Sequence, residues 1–121
     1  NTLGLHMATA GYSPGGAEWL DNLLLYIAEN FRIFDSGINN IPGCKAMHAE
    51  GTYLAWVDFS GTGMPQAEIK NRIETIAKIT TVYGSVMGEG GEAFMRFNIA
   101  TPRSRVLEAV ERMQKAFKDL Q

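Results

Sequence analysis

Scarcity is the first guide to this sequence. Cys44 is its single cysteine, so no intrachain disulfide can form and a reducing compartment fits best. Neither sign of charge dominates. With 13 acidic and 11 basic residues interspersed and a net charge of −2, no basic face exists to grip a phosphate backbone, which excludes nucleic acid as a partner. Long hydrophobic runs are missing too. The stretch Leu23–Ala28 falls far short of the roughly 20 apolar residues a membrane span needs. No basic segment precedes an apolar stretch at the start, so nothing reads as a signal peptide. His6 and His48 stand alone, without a second His or Cys at ligand spacing, which argues against a zinc or other metal site. No serine sits in a nucleophile elbow, and Asp21, Glu50 and Asp58 form no recognisable carboxylate pair. Repeats and low-complexity tracts are also lacking.

What remains is an ordinary globular composition, 45% hydrophobic and 20% charged, on 121 residues. That length supports one core rather than two. The expected class is a soluble, cytoplasmic, mixed helix-and-strand domain. The chain opens Asn1-Thr2-Leu3-Gly4 and enters periodic sequence at once, without an initiator Met. This reads as a piece of a longer protein.

Residues 2–12 place Leu5, Ala8 and Tyr12 at helical spacing, and Ser13-Pro14-Gly15-Gly16 breaks that helix. A long helix is expected from about Ala17 to Ile38, apolar on several sides because Leu25, Tyr26 and Ile33 widen the stripe of Trp19, Leu23, Ile27, Phe31 and Phe34. Such a helix fits between two bodies better than inside one small core. After the turn at 39–43, β-like runs are expected at 44–48, 52–59, 79–83 and 93–99. Glu50-Gly51 reads as a tight connection between the first two. Pro65 opens a helix carrying Ile69, Ile73 and Ile76. Thr101-Pro102 reads as a capping hydroxyl with Pro at the first helical position, ahead of the stripe Val106, Val110, Met113, Phe117 and Leu120. The pattern predicts an α+β domain, a small mostly antiparallel sheet with helices on one face. Tyr53 and Trp56 are expected in its core.

Two features carry potential chemistry. The loop Gly84–Gly91 is glycine-rich, but it lacks the lysine of a P-loop and matches no dinucleotide fingerprint, so it reads as a sharply turned inter-strand loop. Cys44 reads as a small apolar filler rather than half of a Cys–His nucleophile. Arg96 stands out because its strand, Phe94 to Ile99, is mostly apolar. Its guanidinium needs an acceptor. That acceptor is either an internal carboxylate or the carboxylate of a bound ligand, which arginine grips bidentately. The residues alone leave both open. Arg103 and Arg105 read as solvated surface or interface.

Several strings, taken in order, resemble a known family. They are Asn1-Thr2-Leu3-Gly4 with Ala8, Ala10 and Tyr12; Gly16–Asp21; Tyr26 with Asn30; Glu50–Asp58; Gly84-Ser85 with Gly88 and Gly91; Phe94–Ala100; and Thr101-Pro102-Arg103. Together they are similar to the C-terminal part of class I/II aminotransferase-fold pyridoxal-phosphate enzymes (fold type I), most of all the cystathionine β-lyase, or MalY/PatB, branch. The resemblance implies a homodimer whose large domain holds pyridoxal phosphate on a lysine, and a small domain that closes over an amino-acid substrate. It implies carbon–sulfur β-lyase chemistry, cystathionine or a cysteine S-conjugate giving thiol, pyruvate and ammonia. It also implies that Arg96 binds the substrate α-carboxylate and that Gly84, Ser85 and Gly88 lie in a loop near the active-site mouth. Met87 and the stretch 79–83 depart from the branch. None of the five lysines (Lys45, Lys70, Lys78, Lys115 and Lys118) lies in the Schiff-base motif, so the expected chain has no catalytic residue and binds no cofactor alone. The implied division is 1–12 as the last helix of the large domain, 13–38 as the interdomain helix, and 39–121 as the small C-terminal domain. An aminotransferase of the same superfamily, or a stand-alone carboxylate-binding or regulatory module, are the alternatives.

Overall fold

A computed structural model describes residues 1–120. The order of elements is α1 (Thr2–Gly11), α2 (Pro14–Asn39), β1 (Lys45–Ala46), β2 (Leu54–Asp58), α3 (Gln66–Lys70), β3 (Val82–Tyr83), β4 (Phe94–Asn98) and α4 (Arg103–Ala116). The four strands form one antiparallel sheet in the order β1-β2-β4-β3. Helices α2 and α4 back one face of it, so the expected α+β architecture is the one observed.

Each element follows from its apolar spacing. In α2 the buried positions are Ile27, Asn30, Phe34, Gly37 and Ile38, a single stripe at steps of three and four residues. Helix α4 buries Val106, Val110, Met113 and Ala116. The two stripes meet so closely that a β-carbon on Gly37 would collide with Val110. Alternation turns Ala55 and Val57 of β2, and Met95 and Phe97 of β4, onto these helices. Phe34 against Phe97 (ring centroids 5.3 Å apart) and Phe59 against Phe117 (5.8 Å) anchor the core.

The helix after Pro65 does not stay regular. Beyond Lys70 it widens into a π-helical turn, Asn71–Ile76, closed by the Ala77 N–H donating to the Arg72 carbonyl at 2.8 Å. Arg72 lies across the end of α4. Its Nη1 donates to the Ala116 carbonyl at 3.0 Å, its Nε to Glu68 at 2.8 Å, and Nη2 to Asp119 at 2.8 Å.

Several expectations require correction. The strands are shorter than the β-like runs. Thr52 has φ +64, a left-handed conformation that cannot continue a strand, so β2 starts at Leu54. Glu50-Gly51 is not a tight turn but part of the wider connection 47–53. The Ile79 N–H donates to the Ile73 carbonyl, which delays β3 until Val82. Tyr53 and Trp56 are not core residues: Tyr53 is 46% exposed, and Trp56 falls on the face opposite Ala55 and Val57. Helix α2 begins at Pro14, because the Ser13 hydroxyl accepts from Gly16 N–H and the break is only two residues wide. Thr101 does not cap α4. Pro102 takes the cap position, and the Tyr26 hydroxyl of α2 accepts the Arg103 N–H at 2.8 Å instead.

Helix α1 and the first half of α2 extend past this core. Helix α1 buries nothing. Trp19, Leu24 and Leu25 are 65%, 52% and 72% exposed. No described helix is long and apolar enough to cross a membrane.

Candidate functional site

The sheet face turned away from the helices is half-open. It carries Lys45, Leu54, Trp56, Asp58, Val82, Phe94, Arg96 and Asn98, the residues whose parity opposes the core set. Arg96 sits near its centre, level with Trp56 on β2 and Val82 on β3. Its neighbours leave it no acceptor. Asp58 lies two pairs away, and its Oδ1 accepts the Ser60 N–H at 2.8 Å. The Asn98 Oδ1 accepts the Ala100 N–H at 2.9 Å. Among the described residues Arg96 makes no ion pair and no side-chain hydrogen bond, so the internal salt bridge is not there. A half-buried guanidinium with five unfilled donors is suited to a bidentate anion.

Next to it the chain builds a groove of about 250 Å³, walled by Trp56 and Phe94 on the sheet and by Gly84, Met87, Glu89 and Gly91 on the loop. The rings of Trp56 and Phe94 stack at 5.6 Å and 14°. The glycines at the loop's two ends are sterically required. A β-carbon on Gly84 would enter the backbone of Gly91, and one on Gly91 would enter that of Gly84. The loop's near end is tethered to the helical layer. The Gln66 amide donates to the Ser85 hydroxyl at 2.9 Å. The Tyr83 hydroxyl donates to Glu74, and the Lys70 ammonium lies 4.6 Å from the Tyr83 ring. Residues 85–90 are exposed.

Of the residues singled out from sequence, Gly84 and Gly88 line this groove, Arg96 adjoins it through Trp56, and Ser85 points instead to Gln66. None of the five lysines borders it. Lys70 lies over Tyr83, and Lys115 pairs with Glu111 at 2.6 Å. The residues lining the groove therefore offer no amine for pyridoxal phosphate. Among the described residues no cluster of three metal-ligating side chains occurs either.

Sequence reasoning missed the Trp56–Phe94 wall. The signal was present: Asp58 shares the parity of Trp56, and a charge on that parity marks the open face. It also missed a joint behind the sheet. Asn30, fully buried, donates from Nδ2 to the carbonyls of Ile99 (3.0 Å) and Thr101 (2.9 Å). The Arg103 guanidinium lies 4.5 Å from the Tyr26 ring centroid and reaches Asn30 Oδ1 at 3.4 Å. Arg103 is thus a structural clamp rather than a solvated residue, whereas Arg105 is exposed and pairs with Glu108. A second cavity, between α2 and the 48–52 connection, contains Asp35, whose Oδ1 is buried without a hydrogen-bond partner. Burial pushes the Asp35 carboxyl above its ordinary range, and nearby His48 partly offsets this.

Fold and site together define an α+β domain that presents a lone arginine, a flat aromatic wall and a glycine-hinged loop on one open sheet face. No protein-family model matches the chain. It is 32% identical to cystathionine β-lyase PatB of Bacillus subtilis (strain 168), over 96% of this chain and 30% of that protein. Aspartate aminotransferase of Pyrococcus horikoshii is 28% identical over 73% of this chain and 22% of its own length. The structure of cystalysin from Treponema denticola, which contains a pyridoxal 5'-phosphate cofactor, superposes over all of this chain and 31% of its own, with a TM-score of 0.90 and 37% identity. The chain's homologues by sequence and its neighbours by fold are thus aminotransferase-fold pyridoxal-phosphate enzymes, cystathionine β-lyases among them. It spans about 30% of the length of the curated relatives it matches.

Proposed function

We propose that the chain is the substrate-recognition part of a pyridoxal-phosphate-dependent carbon–sulfur β-lyase, which cleaves cystathionine or a cysteine S-conjugate to thiol, pyruvate and ammonia. The observation that carries this reading is Arg96, half-buried at the centre of the open face with no acceptor of its own among the described residues. Arginine holds the substrate α-carboxylate in two parallel hydrogen bonds and so fixes the amino acid's orientation. Gly84, Ser85 and Gly88 form the loop at the mouth of the site, and movement of the domain closes it over the substrate.

The cofactor supplies the electron sink for the bond cleavage, and both it and its lysine belong to residues outside this chain, which has no activity of its own. In this reading 1–12 is the last helix of the cofactor-binding domain, 13–38 the helix joining it to 39–121, and the whole protein a cytoplasmic homodimer. The aminotransferase relative supports a second reading, the same domain serving amino-group transfer.

The test is Arg96→Gln and Arg96→Lys in the full-length protein, assayed by pyruvate release from cystathionine. Loss of a bidentate charged contact, about 2–4 kcal/mol, lowers kcat/KM by roughly 30- to 1,000-fold, with lysine recovering only a part. Wild-type protein that moves the amino group to a keto acid but yields no pyruvate establishes the aminotransferase. A kcat/KM unchanged by Arg96→Gln removes Arg96 from the site.

A further inference from the structure

We infer that Asn30 is a positioning residue for Arg96: by holding the exit of β4 against α2, its amide sets the direction in which the guanidinium is presented to a carboxylate. This rests on the carboxylate reading of Arg96 and deepens it by naming what aims the arginine.

Burying an amide is costly. Asn30 is the one fully buried polar side chain among the described residues, at a place where an apolar residue of similar size would pack without the loss of bound water. What the amide does there is specific. Its single nitrogen gives away both protons, to the carbonyls of Ile99 at 3.0 Å and Thr101 at 2.9 Å, and its oxygen faces the Arg103 Nε at 3.4 Å. An ionised Asp brings no donor, and Ser or Thr brings only one, so none of them serves both carbonyls.

The chain just past Arg96 is tied to α2 three times, at alternate positions. Phe97 packs on Phe34, one helical turn beyond Asn30, with ring centroids 5.3 Å apart. Ile99 donates its N–H to the Tyr53 carbonyl at 3.0 Å and offers its own carbonyl to Asn30, so one residue is bonded to the sheet and to the helix at once. Thr101 completes the set. Successive side chains of a strand point to opposite faces, so whatever fixes the inward direction at 97 and 99 fixes the outward direction at 96. Without the amide, β4 keeps its pairing with β2, but its end is free to roll about its own axis, and the guanidinium swings with it. A bidentate grip is sensitive to that swing, because the planar fork must stay in line with both carboxylate oxygens.

The experiment is a double-mutant cycle in the full-length protein: Asn30→Ala, Arg96→Gln and the two combined. Each is read as kcat/KM for pyruvate release from cystathionine, or for amino-group transfer where that is the wild-type reaction, at a temperature below every variant's unfolding midpoint. Asn30→Ala is expected to lower kcat/KM about tenfold or more, since a misplacement of about 1 Å can cost on the order of 10²-fold. With Arg96 already Gln, the same change lowers it by less than about twofold. A merely structural amide acts by one common factor in both backgrounds. Asn30→Asp, of the same shape but without donors, behaves as Ala. Tyr26→Phe removes the acceptor of the Arg103 N–H at the other end of the joint. It gives a smaller loss, about threefold, with the same dependence on Arg96, and serves if Asn30→Ala does not fold. Equal factors in both backgrounds, or no loss in either, overturn the positioning role, while a large loss in Arg96→Gln alone keeps the carboxylate site. An Arg96→Gln protein as active as the parent overturns the carboxylate reading, and the positioning role with it.

Discussion

Asn30 is the side chain whose removal tests the architecture most directly. Its amide is fully buried and donates to the carbonyls of Ile99 and Thr101, the two ends of the short passage from β4 toward α4. Asn30→Ala strips both carbonyls of their donor at once. Each buried carbonyl left unsatisfied costs about 1–3 kcal/mol, and Thr101, being half-buried, recovers part of that from water. The vacated amide volume adds a small cavity term. The sum is about 3 kcal/mol. With an unfolding entropy near 2.1 cal/mol/K per residue, a chain of 121 residues changes by about 0.25 kcal/mol per degree, so the midpoint should fall by about 12 °C. Asn30→Asp is the discriminating control. It keeps the shape but turns a carboxylate oxygen toward two carbonyls, so it should destabilise at neutral pH as strongly as Ala. Urea unfolding of the three proteins measures both. If Asn30→Asp matches the parent while Ala does not, packing rather than hydrogen bonding holds this joint. If neither differs by more than about 0.5 kcal/mol, the joint is not there.

Other outcomes follow from the same coordinates. Gly84→Ala and Gly91→Ala each drive a methyl into the opposing backbone, and should cost on the order of 1–3 kcal/mol and hasten proteolysis within the loop; cleavage rates equal to the parent's would mean the two strands of the loop are not in contact. Burial holds the Asp35 carboxyl above its unfolded value of 3.8, so the native state binds more protons than the unfolded one in that window. Its contribution to stability is full below the unfolded value and is lost as pH rises through the raised folded value. Asp35→Asn should therefore raise stability at neutral pH and flatten its decline above pH 3.8, which urea midpoints across pH would show; a parallel pH curve for the variant argues against it. The Cys44 thiol, pushed up to about 12 chiefly by burial, should resist alkylation at pH 8 in the native state and react promptly in urea.

How far the sequence foretold this can be judged residue by residue. The order of elements, the core stripe of α4 and the two faces of β4 were all legible, because periods of 3.6 and 2 are imposed by backbone geometry alone. The solitary Arg96 was legible for the same reason: a charge on an apolar strand needs an account. What stayed hidden depends on conformation and on distance. Nothing in its residue type shows that Thr52 takes a left-handed φ and ends a strand before it begins. Nor does local spacing show that a tyrosine 77 residues upstream caps α4 in place of the adjacent Thr101. Trp56 was misassigned because size and apolarity were weighed above parity.

The joint at Asn30 and Tyr26 also has a mechanical side. It splices the rear half of α2 to the segment leaving β4, three residues past Arg96 at its nearer end. The protruding front half of α2 is then the free arm of a lever whose fulcrum is welded to the sheet. A torque applied to that arm arrives at the guanidinium without slack, because no unsupported loop lies between them. A tilt of that helix would therefore carry the arginine with it as one rigid piece.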